Sequence, residues 1–160
     1  MSRVAHVGRP AGFVIRDARV SDAASLARLA TQLGYPTTEA EAGRRAAAVL
    51  GRPDHRVLVA EDGGEMVGWI HVAPSVTLES DPSAEIAGLV VDGRSRGRGV
   101  GARLVAEAEA WAVTQGYGLM RVRSNVKRNR ARRFYERVGF TVTKRQRNFE
   151  KRLEGTRRDG

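Results

Sequence analysis

The sequence contains no cysteine. That excludes disulfides, thiolate metal ligands and an acyl-cysteine intermediate, and it fits a reducing compartment. Histidine is scarce: His6, His55 and His71 are the whole set, and they are scattered, so no metal site is expected. Long apolar runs are missing too. None approaches the roughly 20 residues that span a bilayer, so no membrane partner is expected. The first dozen residues carry Arg3, Arg9 and Pro10 but no apolar h-region. No secretory signal is therefore expected, and a cytoplasmic location is. There is no Gly-Lys-Ser/Thr, which removes the P-loop reading.

What remains is a globular composition. The 160 residues are 41% hydrophobic and 29% charged, enough for one domain with a sizeable core. That domain is expected over 13–153, after a flexible lead (1–12) and before a flexible tail (154–160). The net charge is +10. A basic chain attracts polyanions. Nucleic acid is one such partner, and a cofactor with a pyrophosphate and a 3′-phosphate is another. Arginine-favouring codon usage in a GC-rich genome is a third source of the excess.

Hydrophobic spacing gives the elements in order. Phe13 to Arg19 alternates as a strand. Ser21 and Asp22 offer N-cap chemistry to a helix carrying Leu26, Leu29 and Leu33, which Gly34 ends. Thr38 and Glu41 form a capping-box pair for a second helix, ending at Gly51. Val57–Glu61 and Met66–Ala73 read as strands joined by Asp62-Gly63-Gly64, a hairpin signal. In the second of them Trp69 and His71 share one side. Ser83–Val91 is the next strand, and Gly88 inside it suggests a bulge. Val100, Leu104, Val105, Ala108 and Ala112 make a helix stripe that Gly116 closes. A strand over Leu119–Ser124 and a short helix around Phe134 and Tyr135 follow. Phe140–Lys144 and Arg147–Leu153 read as two final strands. The order is β-α-α-β-β-β-α-β-α-β-β, an α/β mixed sheet with helices on its faces.

Glu85 to Gly101 is the most informative stretch. A β-branched run, Ile86 to Val91, passes through Asp92-Gly93-Arg94-Ser95 into Arg96-Gly97-Arg98-Gly99-Val100-Gly101 and then a helix. Strand, glycine loop and helix start form an anion cradle. Glycine lets the main chain approach closely, and the first helical N–H groups lack partners and carry partial positive charge. Backbone N–H groups of Gly97, Arg98, Gly99, Val100, Gly101 and Ala102 are candidates to face a pyrophosphate. Arg96 and Arg98 could add charge-assisted hydrogen bonds.

Arg96, Gly99 and Gly101 resemble motif A of the GNAT acetyltransferase superfamily, Gln/Arg-x-x-Gly-x-Gly/Ala after a strand. Phe134-Tyr135-Glu136 before Gly139-Phe140 resembles its motif B. The likeness runs from about Phe13 to Leu153. It implies the GNAT acyl-CoA N-acyltransferase fold: a mostly antiparallel sheet, flanked by helices, whose fourth and fifth strands run parallel and splay apart at the bulge around the pantetheine arm. It implies acetyl-CoA as cofactor and an N-acetyltransferase activity.

Acetyl transfer to an amine needs a held cofactor, a neutral amine and a proton for the leaving thiolate. The resemblance implies that backbone groups of Leu89, Val90 and Val91 pair with pantetheine and polarise the thioester carbonyl, an interaction worth a few kcal/mol. It implies Tyr135 as general acid. A phenol of pKa about 10 can protonate a thiolate of pKa about 8.5 in a hydrogen-bonded transfer. Glu85, eleven positions before Arg96, matches the strand-four glutamate that serves as base in the superfamily's histone acetyltransferases. A solvated strand-end carboxylate is the bland alternative. His71 is a second candidate base. The motif B asparagine that touches pantetheine is replaced by Arg128. Asn125 and Arg128 are the candidates for that contact.

The overall pattern, including Ala110-Trp111-Ala112 before Gly116, looks like bacterial small-molecule enzymes of the superfamily, some close to aminoglycoside acetyltransferases. Direct attack in a ternary complex on a small-molecule amine is the expected reaction. Peptide or protein acetylation, cofactor binding without catalysis, and a nucleic-acid module built on the arginines near Arg128 are the alternatives. The intact glycine loop argues against the last. Homodimers are common in the superfamily, and no residue in the sequence reports on one.

Overall fold

The structure, a computed structural model, describes residues 12–124 and 128–155. In chain order it contains β1 (Val14–Asp17), a one-turn 3-10 helix (Val20–Asp22), α1 (Ala23–Leu33), α2 (Glu39–Leu50), β2 (Arg56–Asp62) and β3 (Glu65–Ser75). Then come β4 (Ser83–Val91), a second 3-10 turn (Gly93–Ser95), α3 (Val100–Thr114), β5 (Met120–Val122) and α4 (Asn129–Arg137). The chain divides between Arg123 and Ser124 into two compact units.

In the first unit the strands pair in the order β1-β2-β3-β4-β5. All neighbours are antiparallel except β4 and β5, which run parallel. The β2–β3 hairpin turns on Gly63 and Gly64, with φ of 58° and 82°. Two positive φ values are what a tight hairpin turn needs, and glycine supplies both. The capping box at α2 forms: Glu41 N donates to Thr38 Oγ1 at 3.1 Å, and Thr38 N donates to the Glu41 carboxylate at 3.4 Å. Asp22 behaves differently from its expected N-cap role, because no side chain caps α1. Its carboxylate is taken by Arg16, at 2.8 and 2.9 Å, and by the Arg19 N–H at 2.7 Å. A guanidinium is the stronger donor, and with Arg16 and the Arg19 amide engaged the carboxylate does not cap α1.

The sheet is covered on both faces. Leu29 of α1, with Leu26, Leu33 and Leu50 beside it, packs against Val59, Val90 and Trp69. The opposite face meets α3 at Gly68. A Cβ there would lie 3.1 Å from Val100 and 3.2 Å from Leu104, so glycine sets how closely the helix can approach. Val100, Leu104, Val105 and Ala108 are almost fully buried on that side. Each of the Val and Leu side chains contributes about 1.5–3 kcal/mol by leaving water, and the Ala108 methyl less.

The second unit holds α4 and an irregular segment. Gly139, at φ 101°, ends the helix, and Phe140 N donates to Tyr135 O at 2.9 Å. The two final strands expected over 140–144 and 147–153 do not form, and residues 141–155 are exposed. A strand needs a ladder partner and a face to bury. The run Lys144-Arg145-Gln146-Arg147-Asn148 breaks the apolar alternation, so neither segment offers a continuous face. The expected Leu119–Ser124 strand is likewise shorter, at Met120–Val122.

Candidate active site

The site is built on β4. This strand pairs with β3 from Ser83 to Val91. It pairs with β5 only at Ala84, Glu85 and Ile86, opposite Met120, Arg121 and Val122. Beyond Ile86, no described strand lies on the β5 side of β4. The break coincides with a bulge: His71 faces Gly88 and Val72 faces Ile86, which leaves Ala87 as the extra residue. An extra residue bends its strand away from one neighbour. Leu89, Val90 and Val91 therefore lie where β4 is open on one edge.

Trp69 explains Gly88. A Cβ on Gly88 would lie 2.8 and 3.0 Å from ring atoms of Trp69, closer than packed atoms come. The six-membered edge of the indole occupies the space beside this bare stretch of backbone. Its Nε1 is buried with no hydrogen-bond partner among the described residues, a condition that costs about 1–3 kcal/mol for a buried donor.

After β4 the chain enters the glycine loop. Gly97 and Gly99 have φ of 82° and 79°, and nothing lies within 4 Å of a Cβ at either. The loop is open, and its conformation needs glycine. Gly99 is the N-cap of α3, and no side chain caps that end. The first helical N–H groups, from Val100 to Ala102, thus keep the free donor character an anion satisfies.

Five contacts brace this loop. Buried Asp92, 2% exposed, accepts from Arg28 of α1 at 2.9 Å and from the Arg94 backbone at 3.0 Å. Gln32 of α1 accepts from Gly93 N at 3.2 Å. Arg94 reaches Glu65 at 2.8 Å, and Arg98 reaches Asp62 at 2.9 Å, both on the β2–β3 hairpin. The Arg94 and Arg28 guanidiniums hold the Asp92 carboxyl well below the usual carboxylate range, with the Arg94 contact the larger cause. Arg98 is therefore already matched by an acid. Arg96 is exposed and forms no ion pair among the described residues.

A bare loop, an uncapped helix start and a half-open parallel pair fit a long anionic cofactor. The Acetyltransferase (GNAT) family model matches residues 21–140. YhfO of Bacillus subtilis (strain 168), an uncharacterized N-acetyltransferase, is 30% identical over 131 residues, 79% of this chain and 88% of that protein. The chain belongs to the GNAT acetyltransferase family. It is accordingly an acetyl-CoA-dependent acetyltransferase. Two solved structures share the fold. A transcriptional regulator from Bacillus halodurans C-125 superposes with a TM-score of 0.76 at 25% identity, covering 86% of this chain and 99% of that one. The aminoglycoside N-acetyltransferase AAC(6')-Iy in complex with CoA superposes with a TM-score of 0.79 at 19% identity, covering 88% and 95%.

In this GNAT chain Glu85 sits half-buried on β4, with Oε1 3.4 Å from Nε of Arg123. His71 lies on β3. Because His71 and Ala73 share a face and Ala73 stands opposite Glu85, His71 and Glu85 are on the same side of the sheet, one row apart. His55, from the turn before β2, meets His71 with Nδ1 to Nε2 at 2.9 Å. The structure thus brings Glu85, His71, Trp69 and the glycine loop into one unit. Tyr135 and Arg128 belong to the second unit, and Asn125 lies outside the described residues. Tyr135 is half-buried on α4, edge-on to Phe134 and Phe140 with ring centroids 5.2 and 5.6 Å away. Burial pushes its phenol pKa up, so it keeps its proton at neutral pH. Arg128 is exposed at the α4 N-cap position.

His55, Trp69 as the partner of Gly88, and Asp92 as the anchor of the loop were missed as site residues in the sequence. The Asp-Gly step after a strand could have flagged Asp92 as a turn cap. Nothing local could have paired His55 with His71, since 16 positions separate them.

Proposed function

We propose that the enzyme transfers the acetyl group of acetyl-CoA to a primary amine of a small molecule, by direct attack in a ternary complex. One observation carries the reading: β4 is paired along one edge throughout and, among the described residues, has no strand partner along the other beyond Ile86. That opening gives an extended thioester arm a backbone edge to lie along, with the glycine loop at its end.

In this reading Leu89, Val90 and Val91 offer main-chain groups to the pantetheine arm, and one N–H polarises the thioester carbonyl. Gly97 to Ala102 hold the diphosphate through their N–H groups, and Arg96 adds charge. Arg98 contributes by bracing the loop through Asp62. Asn125 and Arg128 supply the remaining cofactor contacts. Tyr135 donates the proton that the leaving thiolate needs, as its protonated phenol allows. Glu85 supplies negative charge where a cationic amine must approach. Two groups on that face could receive the amine proton, Glu85 and His71. The family match across 21–140 spans both compact units, which supports a single catalytic domain over 13–153. The aminoglycoside enzyme among the solved neighbours supports a small amine as acceptor.

Calorimetry with acetyl-CoA, followed by thiol release across a panel of amines, tests the reading. Binding with turnover of small amines is expected. Binding with turnover only of peptides moves the acceptor to protein. Binding without any turnover leaves a cofactor-binding module, and failure to bind acetyl-CoA overturns the assignment. A Tyr135→Phe variant should lose at least tenfold in kcat, with its acetyl-CoA affinity kept. Unchanged turnover removes Tyr135 as the acid.

A further inference from the structure

We propose that His71 and His55 form a two-imidazole relay that takes the proton released by the acceptor amine and passes it to solvent, leaving Glu85 to attract the ammonium. The proposal rests on the amine-acetyltransferase reading above.

The geometry is a chain of three groups. His71 is half-buried on β3, on the face and one row from Glu85. Its Nε2 lies 2.9 Å from Nδ1 of His55, with ring centroids 5.2 Å apart. Nε2 of His55 lies 3.9 Å from Oδ1 of Asp54, whose side chain is 47% exposed. A half-buried ring is thus hydrogen-bonded to a second ring that lies near an acid in contact with water. Asp54 is paired with Arg52 at 3.7 Å and Glu85 with Arg123 at 3.4 Å, so both acids beside the relay carry a cation.

The proton movement balances. An N–H bond of the ammonium breaks as Nδ1 of His71 takes the proton, which frees the amine lone pair for attack. His71 gives its Nε2 proton to Nδ1 of His55, and His55 gives its Nε2 proton to water, or through water to Asp54. That direction requires His71 Nε2 to donate and His55 Nδ1 to accept in the resting pair. Burial, and then the neighbouring His55, lower the His71 pKa, so the ring rests neutral and ready to accept. Two imidazoles this close resist both being charged, so the pair takes up one extra proton at most. An ordinary imidazole titrates about four units below an alkylammonium and a carboxylate about six, which makes the imidazole the better matched acceptor. The charge of Glu85 is already balanced by Arg123, a role suited to electrostatics.

The test uses the full chain with acetyl-CoA and a panel of primary amines. His71→Gln should lower kcat at least tenfold at pH 7, recover as pH rises toward the amine's own pKa, and keep its acetyl-CoA affinity within twofold. His55→Gln should shift the acidic limb of the pH–rate profile upward, because the repulsion on His71 is gone. Glu85→Gln should raise KM more than it lowers kcat. Imidazole nitrogen NMR of the CoA complex should show the two rings titrating as a coupled pair, with the His71 proton on Nε2 at rest. Wild-type turnover that His71→Gln and His55→Gln leave unchanged overturns the relay alone, as do two rings titrating independently. Absence of wild-type turnover with every amine instead overturns the acceptor reading on which it rests.

Discussion

Gly88 shows how one missing side chain can be read correctly in kind and incompletely in cause. Its place in a strand pattern suggested a bulge, and the bulge is there, at the neighbouring Ala87. The reason for glycine is Trp69, whose ring occupies the space a Cβ would need. Trp69 is wedged among Val59, Val90 and Leu29, so it cannot swing aside freely. Gly88→Ala should therefore cost about 1–3 kcal/mol, the range for overpacking a tight site. Denaturant unfolding checks this, and a loss under 0.5 kcal/mol would mean the indole has room to move. At the same scale, Asp92→Asn removes a buried charge that two arginines face. Leaving their partner neutral should cost roughly 2–4 kcal/mol, read from the same curves, and should loosen the loop that follows.

At the scale of the element, the unit of interest is the glycine loop with the first turn of α3. Its shape depends on two left-handed residues, and no Cβ at Gly99 would touch anything. A substitution there acts through backbone strain alone. Gly99→Ala should cost about 1–2 kcal/mol in the loop conformation, which the open loop escapes by relaxing, so acetyl-CoA binding weakens by about tenfold while global stability changes little. Calorimetry beside a thermal melt separates the two effects. Equal loss of melting temperature and affinity would make Gly99 a folding residue only. Helices and this loop were legible in the sequence because their signals are local: a cap, a stripe and a terminating glycine lie within a few residues of one another. The last two strands were misread for the converse reason. Phe140, Val142, Phe149 and Leu153 look strand-like singly, but a strand exists only through its neighbour, and the charged run at 144–147 gives it no face to bury.

For the whole molecule, the titrating groups set a pH window. The pKa of His71 is lowered in the fold, by burial first and His55 second. The unfolded chain therefore takes up that proton first, so stability begins to fall as pH drops below about 6.5. Asp22, held by Arg16, and Asp92, held by Arg94 and Arg28, are also lowered. Their contributions are complete above about pH 4 and are lost as pH falls through their folded values. Melting temperature should thus decline in two stages between pH 8 and pH 3. His71→Gln should remove the first stage and keep the second. A flat profile down to pH 4 in the wild type would contradict the burial of His71.

The sequence by itself determined the element types as far as α4, the glycine loop and the family, because periodicity, capping and a glycine pattern are written in neighbouring residues. Tertiary structure alone decided which strand edge stays open, which arginine of the loop is already matched, and that His55 meets His71. Those outcomes depend on strand register and on side chains far apart in the chain. Alternation in one strand gives the face a residue takes, and only the pairing of two strands gives what it will touch.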